Sequence, residues 1–490
     1  MDEMQNRQQF SEGRRKRKLS PFEQFSQTYM PAVIGGTALI LILIFVFGAI
    51  IHGFQYRTLV KQIKHDAAVA AMEEQIRLNA ESERLLREAA DKAGQYDYNG
   101  AIEILQNFSG NRNDYPVLDS TIDEYKEQLS HFQQWTDIES IPNLSFEMLI
   151  VDAQRAFADA KYANSYKKNF ITTEEFKLIL EQLYNNGYIL VGLDDLYEYK
   201  TTDSGVSYFV EKELFIPNNK KPIILTQTQV NYNLFMVDGD GDMIPDAGGA
   251  GFACKLIIDE NGNLSNEYVA ADGTHHTGAY DLIPILESFI ATHPDFSYRG
   301  ARAVIALSGY NGLFGYRTHA EAASKLGQDV YAEEIEQAKV VAKKLEQTGY
   351  KLACYTYDNK DYTKLSTSKI EADMSGWLAE AVPILANLIL LFLPRTAIWQ
   401  VPPNPTHPTA ITILKVTALS STLVIVKMVA PGSMLAINMY ARVEFPSLHP
   451  IWQTKKVGLT IFWIPPRSYW NPDNAQIPQK ASVNDGCFFI

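Results

Sequence analysis

The chain has 490 residues, of which 46% are hydrophobic and 21% are charged, and its formal net charge is −13. This composition predicts two or three folded domains and excludes a disordered chain. The negative charge argues against a nucleic-acid-binding protein, because the phosphates would repel it. The three cysteines, Cys254, Cys354 and Cys487, are far apart in sequence, so they predict neither a zinc site nor a disulfide framework.

Near the N-terminus, residues 32–51 read AVIGGTALILILIFVFGAII and contain no charge. A helix of this length spans a hydrocarbon core of about 30 Å. A basic cluster, RRKRK at residues 14–18, precedes it, which predicts a cytoplasmic tail over 1–31 and a transmembrane helix over 32–52. The remainder is then extracellular, in a single-pass protein of the cell membrane. A cleaved signal peptide is the alternative, but the long apolar run and the lack of a small-residue cleavage site favour an uncleaved anchor.

Residues 54–140 carry the pattern of a helical stalk. Val60, Ile63 and Ala67 begin an apolar stripe, and acidic and basic residues fill the opposite face. Within this segment, residues 89–108 resemble a helical hairpin of the tetratricopeptide type. A single hairpin does not predict a repeat protein, because such repeats bury their apolar faces against neighbours. We therefore expect a membrane-proximal stalk.

Residues 141–386 show strands alternating with helices, which predicts an α/β domain with a parallel sheet. The predicted strands are 148–151, 188–191, 222–225, 301–307 and 351–355, and the predicted helices are 174–186, 280–293 and 331–347. Thr172 and Glu175 have the spacing of a capping box at the start of the first of these helices.

Two segments of this domain, each at the end of a predicted strand, carry motif-like sequences. Residues 226–230 read TQTQV, and residues 349–365 read GYKLACYTYDNKDYTKL. They resemble the first two motifs of the polysaccharide deacetylases, the carbohydrate esterase family 4 with its nodulation-protein-B-like fold. The resemblance extends over about residues 142–383. It implies that this α/β domain is a deacetylase-like distorted (β/α) barrel.

The resemblance also implies which positions would carry the chemistry. Thr228 stands where that family has its general base, and Gln229 stands where it has a metal-binding aspartate. Tyr355 and Asn359 stand where it has two metal-binding histidines. A neutral amide or phenol is a poor ligand for zinc-like metals, and a threonine cannot act as a base near pH 7. We therefore expect no zinc-like catalytic metal at these four positions.

This set of replacements predicts a catalytically degenerate, deacetylase-like domain that binds or organises a cell-wall or capsular glycan. Two alternatives stay open: an active metal-dependent polysaccharide N-deacetylase with other ligands, and a surface scaffold that binds protein partners. Whether the chain is an enzyme is therefore uncertain from sequence. The remaining candidates for metal ligands in this domain, all predicted to be loop or surface residues, are His275, His276, His293 and His319.

An acidic loop offers a second candidate site. Asp238, Asp240, Asp242 and Asp246, in DGDGDMIPD, occupy positions 1, 3, 5 and 9 of the spacing found in calcium loops. The string also resembles the thrombospondin type 3 repeat. Position 6 is a methionine rather than the usual glycine, and position 12 is a glycine rather than a glutamate. We predict a candidate Ca²⁺ site, with an acidic surface turn as the alternative.

A glycine-rich loop, SGYNGLFGYRT at residues 308–318, offers candidate glycan contacts. Tyr310, Phe314, Tyr316 and Arg317 are predicted to face a ligand, because aromatic rings on a loop can stack on sugar rings. The alternative is that these aromatic side chains pack against the mouth of the barrel.

The last segment, residues 387–490, has a different composition. It holds three of the chain's 57 acidic residues but 12 of its 22 prolines. The third motif of the deacetylases, with its aromatic-proline turn, is not found here. One hypothesis is a shifted reading frame after about residue 386, and the other is a genuine but unfamiliar C-terminal module.

Overall fold

The computed structural model of the chain describes residues 20–201, 207–360, 365–385, 390–393, 422–425 and 438–441. The helices are α1 (Pro21–Gly94), α2 (Tyr98–Gln106), α3 (Pro116–Ser130), α4 (Ala153–Ala158), α5 (Ala163–Asn169), α6 (Thr173–Asn185), α7 (Leu193–Leu196), α8 (Leu234–Val237), α9 (Leu282–Thr292), α10 (Ala322–Leu326), α11 (Gln328–Thr348), α12 (Thr367–Glu380) and α13 (Val382–Leu385).

The strands are β1 (Phe132–Trp135), β2 (Asn143–Phe146), β3 (Tyr188–Leu190), β4 (Tyr197–Thr201), β5 (Ser207–Glu211), β6 (Leu214–Pro217), β7 (Lys221–Thr228), β8 (Lys255–Ile258), β9 (Leu264–Val269), β10 (His275–Gly278), β11 (Val304–Leu307), β12 (Lys351–Cys354), β13 (Leu390–Leu393), β14 (Thr422–Ile425) and β15 (Asn438–Ala441). The chain divides into two compact units, residues 1–83 and residues 84–490.

The first unit contains most of helix α1. The most apolar window of this helix has a mean hydropathy of 2.8, and none of it is buried. The helix is therefore long and apolar enough for a membrane span or a signal sequence. The basic cluster at residues 14–18, on which the predicted orientation depends, lies outside the described residues.

The second unit begins inside the predicted stalk, at Arg84. Helices α2 and α3 bury the apolar faces that carry Leu105 and Leu118, and β1 pairs antiparallel with β6. The second half of the predicted stalk is thus part of the compact α/β unit. The apolar stripe of the predicted stalk continues into this unit, where Leu85 and Ala89 are buried.

The main sheet is built on β7. Strands β2, β7, β11, β12 and β13 are parallel neighbours in chain order, and β14 and β15 add antiparallel strands at one edge. Strand β3 pairs with the first three residues of β7. The predicted α/β class and parallel sheet are confirmed. No closed sheet is found among the described residues, and the barrel stays a prediction.

Most predicted elements of this unit are present, with ends that differ by three residues or fewer. The capping box of α6 is confirmed: Thr172 Oγ1 accepts from Glu175 N at 3.1 Å, and the Glu175 carboxylate accepts from Thr172 N at 2.7 Å. The prediction of a strand at 148–151 is wrong. The strand is β2, five residues earlier, and within 148–151 Ile150 makes isolated bridges to Thr172 and Phe252.

The antiparallel sheet of β8, β9 and β10 was missed by the sequence pattern. Asp259 Oδ1 accepts hydrogen bonds from the backbone N atoms of Asn261 at 2.9 Å and Asn263 at 2.8 Å, and these bonds close the turn between β8 and β9. The string DENGN contains the Asn-Gly pair that is typical of tight hairpins. That pair was the local signal for this sheet.

One buried carboxylate, Asp281 at the N-cap of α9, connects several elements of the core. Its side chain accepts from Leu149 N at 3.0 Å, Leu282 N at 2.8 Å, Gln227 Nε2 at 2.7 Å and Tyr232 Oη at 2.8 Å. The Tyr232 hydroxyl in turn accepts from Asn266 Nδ2 at 2.9 Å. A fully buried charge is tolerated only when its acceptor capacity is filled in this way.

We expect Asp281→Ala to lower the free energy of unfolding by about 3 kcal/mol or more, because four buried donors lose their acceptor. Chemical denaturation of the full chain in detergent micelles at pH 7 measures this loss. Asp329→Ala, which removes an exposed carboxylate at the start of α11, is the control and should cost less than about 1 kcal/mol. A loss below 1 kcal/mol for Asp281→Ala contradicts the central role of this side chain.

The carboxyl group of Asp281 also makes the stability of the folded protein depend on pH. Burial raises the pKa of Asp281 from 3.8 to about 6, although its hydrogen bonds oppose the shift. Between pH 4 and 6 the folded protein therefore binds more protons than the unfolded chain, so stability falls as pH rises through this window. We expect the thermal midpoint of Asp281→Ala to lack this part of the slope. Burial also raises the pKa of Asp195 to about 6, but Asp195 contributes equally to both proteins, and equal slopes would contradict the prediction.

Candidate functional site

Strained backbone is concentrated where the central parallel strands end. Nine non-glycine residues among those described have a positive φ, and six of them follow β7, β11 or β12. These six are Gln229, Tyr232, Asn311, Phe314, Thr356 and Asn359, with φ between 50° and 99°. Such conformations cost about 1–3 kcal/mol each and are enriched at ligand sites. The carboxyl ends of the parallel strands, named here the C-terminal edge, therefore form the candidate site.

Two of the four positions implied by the deacetylase resemblance meet at this edge. Asn359 Nδ2 donates to Gln229 Oε1 at 2.9 Å, across the ends of β12 and β7. Gln229 is half-buried and Asn359 is exposed. Within the described residues, Gln229 Nε2 and Asn359 Oδ1 have no hydrogen-bond partner. The pair therefore presents one free amide donor group and one free acceptor side by side.

The other two positions do not join this pair. Tyr355 is 7% exposed and packs in a separate apolar cluster that includes Ile224 and Ala306. Thr228 is buried, and its hydroxyl donates to Phe146 O at 3.3 Å. The four side chains thus do not converge on one point, since Thr228 and Tyr355 are buried and make other contacts.

Asn231 fixes the loop that follows β11. Its Nδ2 donates to Ser308 O at 2.5 Å, to Tyr310 O at 3.2 Å and also to Gly312 O. Its Oδ1 accepts from Ser308 Oγ at 3.2 Å. One buried amide therefore shapes the start of the loop 308–318, and a lone asparagine after a strand gave no sequence signal for this role.

Arg317 ties the same loop to the segment after β7. Its Nη1 donates to Tyr232 O at 3.0 Å and to Asn311 O at 3.1 Å. Asn311 Oδ1 also accepts from Leu234 N at 3.2 Å. The guanidinium is nearly fully buried, and burial lowers its pKa to about 10. It therefore stays protonated near neutral pH and links the loop 308–318 to the segment after β7.

These contacts correct the prediction that four side chains of this loop contact glycan. Tyr310 is 44% exposed, whereas Phe314, Tyr316 and Arg317 are 0%, 6% and 2% exposed. The prediction is wrong for the three buried residues, which pack in the core of the unit. An exposed aromatic that sequence patterns missed, Phe235 in α8, is 41% exposed. It follows Leu234, whose backbone is bonded to Asn311 beside Tyr310.

The acidic loop brings three of its four carboxylates together. One oxygen from each of Asp238, Asp240 and Asp246 lies within 4.8 Å of the others, a group that does not include Asp242. Met243, at position 6 of the loop, has φ 74°, the left-handed conformation for which calcium loops use glycine. Three carboxylates this close repel one another unless a cation lies between them. The donor set of carboxylate oxygens suits Ca²⁺.

Among the described residues, none of the four candidate histidines forms a hydrogen bond with Gln229 or Asn359. His275 and His276 are exposed on β10 rather than in a loop. His293 stacks on the ring of Phe289 at 4.4 Å between centroids. His319 is half-buried, and burial lowers its pKa.

A groove of about 350 Å³ lies between β8, β9 and α11. Lys255 lies in it, pairs with Glu334 at 3.0 Å and sits 4.4 Å from the centre of the Tyr316 ring. Since Glu334 also accepts from Arg317 N at 2.7 Å, its carboxylate is committed to structural contacts. The groove offers no group poised for catalysis among these residues.

No protein-family model, no curated protein and no solved structure matches the chain. Residues 361–364, which complete the second deacetylase-like segment, and most of 387–490 lie outside the described residues. The assignment of a function therefore depends on the residues of the C-terminal edge and on their geometry.

The burial of the loop aromatics leads to a stability prediction. We expect Phe314→Ala to lower the free energy of unfolding by about 3–5 kcal/mol, because it empties a fully buried site. Tyr310→Ala should change it by less than about 1 kcal/mol, since its ring is largely exposed. Chemical denaturation of the two variants in detergent micelles separates them, and equal losses would contradict the burial of Phe314.

Proposed function

We propose that the α/β unit is a catalytically degenerate, deacetylase-like domain that binds cell-surface glycan at its C-terminal edge. The observation that carries this proposal is the 2.9 Å hydrogen bond between Asn359 and Gln229, two residues at positions where the resembling family places metal ligands. Strands β7, β11, β12 and β13 are parallel neighbours in chain order, as successive strands are in a (β/α) barrel, and this supports the family resemblance. Strand β3 departs from that order, since it pairs only with the start of β7 while β2 pairs with the rest. The distorted barrel itself is part of the proposal.

The chemistry of the pair suits recognition of a sugar. The free donors of Gln229 Nε2 and the free acceptor Asn359 Oδ1 can bind hydroxyl or acetamido groups, which both donate and accept. Two exposed rings, Tyr310 in the loop after β11 and Phe235 in α8, can stack on the apolar faces of sugar rings. Neither amide can serve as a base near pH 7 or as a good zinc ligand, so the pair supports binding rather than hydrolysis.

The proposed setting follows from helix α1. If its apolar part is a membrane span with the basic tail inside, the α/β unit is extracellular. The glycans within reach are then those of the cell wall or capsule. A protein scaffold function is the alternative in which the same edge receives a protein partner.

The binding test uses the full chain in detergent micelles and N-acetylated chitopentaose as the probe. We expect Gln229→Ala, Asn359→Ala and Tyr310→Ala each to weaken binding at least tenfold in calorimetric titrations, or about 1.4 kcal/mol. Phe215→Ala is the matched control, because its ring on β6 is also 44% exposed but lies outside the C-terminal edge. Equal effects of Tyr310→Ala and Phe215→Ala, or no binding by the wild type, would argue against a glycan site here.

The active-enzyme alternative is tested with the same material. Acetate release from chitopentaose, together with stoichiometric zinc in the purified protein, would overturn the degenerate assignment. We expect neither, because the positions that would hold the metal are occupied by Gln229, Tyr355 and Asn359.

A second candidate function is Ca²⁺ binding by the acidic loop, favoured by the convergence of Asp238, Asp240 and Asp246. We expect calorimetric heat at millimolar Ca²⁺, and its loss in Asp238→Asn and Asp246→Asn, because each removes a charged ligand. Asp242→Asn is the matched control and should retain most of the affinity, since Asp242 lies outside the group of three. The absence of heat for the wild type would reject the site.

A further inference from the structure

The loop that carries Asn359 is held by a buried carboxylate on helix α12. Asp373 Oδ2 accepts from Tyr357 N at 2.8 Å, and its Oδ1 accepts from Asp358 N at 3.0 Å. The side chain of Asp373 is fully buried, and Lys360 Nζ lies 3.5 Å from its Oδ1. A carboxylate that binds two successive backbone N–H groups fixes both their positions and the direction of the chain.

This restraint acts on a strained segment. Thr356 and Asn359, on either side of the two bound N–H groups, have φ of 99° and 52°. Thr356 Oγ1 also accepts from Lys360 N at 3.1 Å, which closes the loop on itself. A positive φ at a β-branched residue such as Thr356 is strained and persists only when the surroundings hold it. The loop therefore needs contacts from outside, and Asp373 provides two of them.

Helix α12 also holds the neighbouring loop after β11. The ring of Tyr357 lies between two glycines: a Cβ atom at Gly309 would overlap it, and one at Gly376 would lie 3.0 Å from it. The Tyr357 hydroxyl donates to Glu380 Oε2 at 2.6 Å, and Trp377 Nε1 donates to Leu307 O at 3.4 Å. The helix thus braces the ends of both β11 and β12.

We propose that Asp373 is a positioning residue that holds Asn359 in place to pair with Gln229 and to face the ligand. This inference deepens the proposed function and rests on it, since it assigns Asp373 a part in glycan binding without contact to the glycan. Asp373 acts through the backbone of residues 357 and 358, and Asn359 is the next residue.

The test compares Asp373→Ala, which removes both acceptor oxygens, with Asp373→Asn, which keeps one. We expect Asp373→Ala to weaken chitopentaose binding by the full chain in micelles at least tenfold, with an intermediate loss for Asp373→Asn. In the Asn359→Ala background, Asp373→Ala should cause no further loss, because the two residues act on one contact. Glu336→Ala, an exposed acid on α11 that pairs with Lys339, is the control and should bind as the wild type does.

Amide hydrogen exchange provides a readout that does not depend on the glycan. We expect exchange at residues 357 and 358 to become at least tenfold faster in Asp373→Ala, while that of β7 stays unchanged. Additive losses with Asn359→Ala, or unchanged exchange in the loop, would overturn the inference. If the wild type binds no probe, the proposed glycan function fails, and the exchange rates still decide whether Asp373 holds the loop.

Discussion

The structure depends on the need to satisfy one buried charge, the carboxylate of Asp281. Its four donors come from the segment after β2, from β7, from the loop after β7 and from the start of α9. Removing a carboxylate from water costs several kcal/mol unless such donors replace the lost hydration. These elements must therefore assemble together. The two donors that flank Gln229 in sequence, Gln227 and Tyr232, fix the end of β7 from both sides.

At the end of β12, the buried carboxylate of Asp373 likewise has its lost hydration replaced by hydrogen-bond donors, the backbone N atoms of residues 357 and 358. A buried carboxylate thus holds the backbone near each amide of the Gln229–Asn359 pair: Asp281 near Gln229, and Asp373 near Asn359. Gln229 and Asn359 both have positive φ, and the residues bonded to the two carboxylates lie within three positions of them in sequence. Two neutral amide side chains can in this way be held rigidly, which lowers the entropic cost of binding a ligand.

The sequence predicted those features that depend on local pattern. Hydrophobic runs located β7, β11 and β12, and motif spacing located Gln229 and Asn359. It did not predict that Phe314 and Tyr316 face inward, because a glycine-rich loop has no periodicity from which to read its buried side. The roles of Asn231 and Asp373 were also missed. Their bonds reach residues 77 to 81 and 15 to 16 positions away, and only the assembled fold brings these partners together.

The placement of the pair also follows from how the second unit is built. The turn between α1 and α2, at residues 95–97, is bonded near the amino ends of the parallel strands. Arg299 N donates to Gln95 O at 2.8 Å, and Tyr96 Oη donates to Asp295 Oδ2 at 3.4 Å beside Lys220, which precedes β7. Strand β7 has eight residues, so its two ends lie about 25 Å apart. Among the described residues, the contacts of this turn therefore lie at the end of the strands opposite to the Gln229–Asn359 pair.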